Sequence, residues 1–138
     1  MKIFVLLSVA AVMLLGGSAA AVDSPIKATN TWVGANGDET LAKELPENGV
    51  ITSAKDFEKL IKSWQVAEKT PEVDFDAELV LVTTTRGSRL SLKPVLDDKG
   101  NLQARAISTR DLRPGFRYLI ISVPKKGVKT VNGKELPK

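Results

Sequence analysis

The chain has 138 residues, 43% of them hydrophobic and 26% charged, with a formal net charge of +4. That profile belongs to an ordinary globular protein and excludes collagen-like, polytopic-membrane and disordered classes. There is no cysteine and no histidine. Their absence removes zinc fingers, Cys/His and Ser-His-Asp nucleophile systems, haem and iron–sulfur ligation, and histidine-based pH switches.

Residues 1–21 have the pattern of a secretory signal peptide. Lys2 gives a minimal positive start, and residues 3–15 are apolar apart from Ser8. That run is shorter than the ~20 residues a membrane-spanning helix needs. Ala19 and Ala21 then occupy the two small positions of an A-x-A cleavage site. No cysteine follows, so no lipid-anchored form is expected and no stable membrane span survives cleavage. Removal of residues 1–21 leaves 117 residues, one domain's worth. Lys2 is the only charge lost, so the net charge becomes +3. A chain of this size buries about two-thirds of its unfolded surface and can hold a core without disulfides. Export without cysteine is more typical of a bacterial periplasm or exterior than of a eukaryotic route. The expected location is therefore secreted or periplasmic.

Residues 28–35, with Thr29, Thr31, Trp32 and Val33, predict a first strand. Asn36, Gly37 and Asp38 signal a turn. Residues 41–45 predict a helical turn that Pro46 ends. Ser53 and Asp56 resemble a capping box, with Asp at the usual Glu position. Phe57, Leu60, Ile61 and Trp64 then fall on one helical face, with Lys55, Glu58, Lys59 and Lys62 on the other. The spacing predicts a helix over 54–64 that buries its aromatic stripe on a sheet.

Residues 79–84 form a continuous β-prone run, a central-strand pattern. Residues 90–96 and 102–108 flank a loop with Gly100 and predict a hairpin. Residues 116–123 predict another buried strand. Residues 128–131 and 134–136 flank Asn132-Gly133, a type I′ turn signal. Residues 22–138 thus predict a single α+β domain. It has a mostly antiparallel sheet of about six to seven strands, with one amphipathic helix packed on one face.

All six arginines lie between Arg86 and Arg117. Arginine is the residue for bidentate recognition of carboxylate, phosphate or sulfate. Arg86 and Arg89 sit in one predicted loop, Arg110 and Arg113 in another, and Arg117 follows. The same cluster also reads as a solvated edge paired internally to Asp111 and to the acidic run Glu72, Asp74, Asp76 and Glu78. That run lacks the glycine and ligand spacing of an EF-hand. No metal or cofactor site is expected.

Ser88, Ser91 and Lys93 match neither S-x-x-K nor G-x-S-x-G. Asp97 and Asp98 sit in a predicted hairpin turn, a poor setting for paired acid–base carboxylates. Phe116 and Tyr118 alternate with Arg117, but no glycine-aromatic signature accompanies them, so no specific nucleic-acid binding is expected.

The segment Phe57-Glu-Lys-Leu-Ile-Lys-Ser-Trp64, then Pro71-Glu-Val-Asp74-Phe75, then the strand over 79–84, resembles the C-terminal domain of PrcB-type secreted proteins, a family of protease-complex subunits. The likeness covers about residues 50–124 and rests mainly on the P-x-V-D-F element. Where the family carries a TGGY-like turn, this chain reads Thr85-Arg86-Gly87-Ser88-Arg89-Leu90. The closing segment, residues 114–134, also resembles small secreted bacterial proteins. The resemblance implies a non-catalytic extracytoplasmic module.

The leading expectation is a secreted, non-catalytic binding or accessory module. It would contact a partner protein through an exposed strand edge or through Arg86, Arg89, Arg110, Arg113 and Arg117. The alternatives are recognition of an anionic envelope polymer or small oxyanion by the same arginines, and an enzyme of unrecognised type.

Overall fold

The computed structural model describes residues 23–137, and the expected leader, residues 1–21, lies outside them. The strands are β1 (Ser24–Pro25), β2 (Asn30–Asn36), β3 (Val50–Ile51), β4 (Glu78–Thr85), β5 (Leu90–Leu96), β6 (Asn101–Ser108), β7 (Phe116–Pro124), β8 (Thr130–Val131) and β9 (Lys134–Glu135). Among the described residues a single α-helix, α1 (Ala54–Ser63), lies between β3 and β4. The expected α+β class and mostly antiparallel pairing are both present. The strands divide into two sheets, ordered β2-β7-β4-β3 and β1-β5-β6-β8-β9. One pairing, β6 with β8, is parallel.

The division follows from the residues of β4 and β7. Val80 and Val82 of β4 and Phe116, Tyr118 and Ile120 of β7 pack on the helix side. Leu79 and Leu81 alternate with them, as do Leu119, Ile121 and Val123, and these pack on the opposite side. Both faces of these strands are apolar, so each needs a cover. The helix supplies one cover. The β5–β6 hairpin and the C-terminal strands supply the other, through Leu90, Leu92, Leu96, Leu102 and Val131. The result is three layers, helix on sheet on sheet.

On the helix side, the Ser53 hydroxyl accepts from the Asp56 amide at 3.3 Å, the first half of the expected capping box. Gln65, with φ 52°, turns the chain away after Trp64. Trp64 is buried, packs edge-on against Phe116 at a centroid distance of 5.1 Å, and donates its indole N–H to the Leu41 carbonyl at 2.8 Å. Leu41 belongs to a 3-10 segment, Glu39–Glu44, at the place where a helical turn was expected.

At the C-terminus, Asn132 and Gly133 have φ of 49° and 79°, as a type I′ turn requires. The Asn132 side chain accepts from the Ala104 amide, and Asn48 donates to the Val131 carbonyl at 2.7 Å. These bonds fasten the closing hairpin to β6 and to the segment just before β3.

Candidate functional site

The site is built by the β5–β6 hairpin. Its register runs from Leu96 opposite Leu102 to Leu90 opposite Ser108. The Asp97 carboxylate fixes the turn by accepting from the amides of Lys99 and Asn101, both at 2.9 Å. The residues before Leu90 and after Ser108 must therefore emerge side by side.

Those two segments are the arginine loops, and they are bonded together. The Thr109 amide donates to the Arg89 carbonyl at 3.1 Å, and the Arg113 amide to the Arg86 carbonyl at 2.8 Å. The Arg89 amide donates to the Thr109 hydroxyl at 3.1 Å. Asp111 closes the clamp by accepting from the Ser88 amide at 3.0 Å. The Thr109 hydroxyl, then the Ser88 amide and hydroxyl, hold the Asp111 carboxyl well below the usual carboxylate range, and Arg113 adds to this. Gly87 is required at this crossing, because a Cβ there would overlap the Thr109 carbonyl and hydroxyl.

The arginines then sort into two groups. Arg86 pairs with Glu39 at 3.1 Å and Arg113 with Asp111 at 3.2 Å. Among the described residues, Arg89, Arg105, Arg110 and Arg117 have no carboxylate within ion-pair distance. The expected pairing with Asp111 is present. The acidic run 72–78 pairs with no arginine among the described residues; instead, Asp74 organises its own turn, accepting from the Asp76 amide at 3.0 Å. Residues 75–77 are turn, so Asp74 and Asp76 do not share a strand face. No group of three or more metal-ligating side chains occurs among the described residues.

A groove of about 570 Å³ runs beside the loops. It is lined by Val33 of β2, Arg117 and Tyr118 of β7, Arg89 to Ser91, and Ile107 to Thr109. Its lining is mostly apolar and includes two cations and several hydroxyls. Val33 is 68% exposed and Ile107 55%, and Leu112 on the adjacent loop is 74% exposed. These are large apolar side chains left in water beside unpaired arginines. The Ser88 hydroxyl is engaged with that of Thr109 at 3.2 Å. Ser91 stands opposite Ile107, and Lys93 opposite Arg105.

Arg86, Arg89, Arg110, Arg113 and Arg117 were singled out from sequence. Two of them, Arg86 and Arg113, brace the loops, and Arg89 and Arg117 line the groove. Val33 and Ile107 were not foreseen as surface residues, because an apolar residue in a strand reads as core. The Lys93–Arg105 pair was also missed. The hairpin loop centred on Lys99 fixes that register, so the signal was in the sequence.

No family model, curated protein or solved structure matches this chain. No helix among the described residues is long and apolar enough to cross a membrane.

Proposed function

We propose that this protein is a secreted, non-catalytic binding or accessory module that holds a partner protein at the groove beside the arginine loops. One observation carries the reading: unpaired Arg89 and Arg117 flank exposed Val33 and Ile107 on a surface prelocked by the Asp111 clamp. Protein interfaces combine an apolar centre with arginine, and a rigid surface loses little entropy on binding. The resemblance of residues 50–124 to PrcB-type proteins supports the same reading, with a protease complex as the setting.

The test is capture from an extracytoplasmic extract at low and high salt, using the wild-type protein and an Arg89→Ala/Arg117→Ala variant. The expected result is one protein retained at high salt by the wild type and lost by the variant. Equal capture by both would remove the groove from the interface. Retention of anionic polymer, released steeply as salt rises, would replace a protein partner with a polyanion.

A further inference from the structure

A sheet edge is a row of unpaired backbone donors and acceptors, and proteins usually guard it with short length, charge, proline or a cover. Nearly every free edge here is guarded. β3, at one end of its sheet, has only two residues. β1 has two, one of them Pro25, and β9 is Lys134–Glu135. β5 beyond its pairing with β1 carries Lys93 and Pro94, and β6 beyond β8 carries Arg105.

β4 beyond β3 leaves four uncharged residues, Val82 to Thr85, and the longest unguarded edge among the described residues is β2. It ends the four-stranded sheet, runs for seven residues, and reads Asn-Thr-Trp-Val-Gly-Ala-Asn, with no charge and no proline. Its register with β7 places Val33 opposite Leu119 and Ala35 opposite Arg117, on the face turned toward the second sheet. The groove described above opens on that face. An added strand would lie about 4.8 Å outside β2, with every second side chain turned the same way. One such side chain would cover Val33. The next, about 6–7 Å further on, would lie level with Ala35, whose small side chain leaves room for the Arg117 guanidinium to reach across.

We propose that β2 receives an extended segment of the partner as a fifth strand, with an apolar side chain over Val33 and a carboxylate meeting Arg117 and Arg89. This rests on the partner-binding reading above. Backbone bonds to β2 would supply affinity, and the apolar and acidic side chains two residues apart on one face would supply choice of sequence.

The test uses three capped nine-residue peptides with the purified protein, read by amide hydrogen exchange and by titration. The first has valine and glutamate in turn at every second position with threonine between them, so that both fall on one face; the second has lysine in place of glutamate, and the third is the first with alternate backbone nitrogens methylated along one edge. The valine–glutamate peptide should protect alternate β2 amides. The other two should bind at least about tenfold more weakly, as should Arg117→Glu with the first peptide, the scale of one charge-assisted bond. Equal binding by the methylated peptide would overturn strand addition and leave the arginine groove as a charge site. Equal binding by the lysine peptide would overturn the acidic occupant. Protection of β2 that rises with protein concentration alone, with a dimer in sedimentation, would make the occupant a second copy. If no peptide protects β2 while the arginine-dependent capture succeeds, strand addition fails and partner binding stands.

Discussion

The two faces of β7 near its start are treated in opposite ways. Phe116 and Tyr118 point to the helix and are buried under Trp64. Arg117, between them, points to the other face and is exposed, although Leu119, Ile121 and Val123 further along that face are buried. The helix side is closed from Phe116 to Ser122, and the sandwich side opens where the second sheet stops short. Closure there would need an apolar cap over Val33 and Arg117, and the chain offers a charged rim instead. At this end of β7 the helix face therefore carries stability, and the open end of the sandwich is free to carry recognition.

The largest expected effect lies on the closed face. Trp64→Ala removes a buried indole and its bond to Leu41, and should cost about 3–5 kcal/mol, measured by chemical denaturation. A cost below about 1 kcal/mol would mean that the aromatic cluster is not the main source of stability. Next comes Gly87→Ala, which forces the two arginine loops apart and should cost about 1–3 kcal/mol by overpacking. Its amides at Ser88, Arg89 and Arg113 should exchange faster, while those of α1 stay protected.

Charge reversal of the groove, Arg89→Glu with Arg117→Glu, should move stability by no more than about 0.5 kcal/mol, because both side chains are exposed. Its effect belongs in partner capture. A large stability loss from this pair would erase the division between the two faces. The smallest effect is that of mild acid. Asp111 has its carboxyl held below its ordinary 3.8. A carboxyl depressed on folding stabilises fully above its unfolded value and loses that contribution only as pH falls through the lower, folded value. Protection of the Ser88 amide, corrected for intrinsic exchange, should therefore stay flat from neutral pH to about pH 5. A rise in exchange already at that pH would show that the clamp depends on another group.

Much of this arrangement was legible in the sequence because its signals are local. Ser53 with Asp56 marks a helix start through a single hydroxyl–amide bond. Asn132-Gly133 marks a turn through positive φ at adjacent residues. The unbroken apolar runs of β4 and β7 announce strands covered on both faces. The split into two sheets was not legible, because it depends on β7 inserting between β2 and β4 across long stretches of chain. The meeting of the arginine loops was half legible: hairpin register alone brings residue 89 beside 109. The exposure of Val33 could not be read, since it depends on where a distant sheet ends.

The closing hairpin has a consequence for the order of events. Val131 of β8, fully buried on the inner face of the second sheet, belongs to the last strands among the described residues. Leu102 shares that layer and pairs with it. A chain made from its N-terminus has α1 and β4 well before Val131, while β7 ends seven residues before it. Its inner layer stays incomplete until the residues through Glu135 are free. A chain cut before β8 would leave Leu102 and its neighbours without this part of their cover.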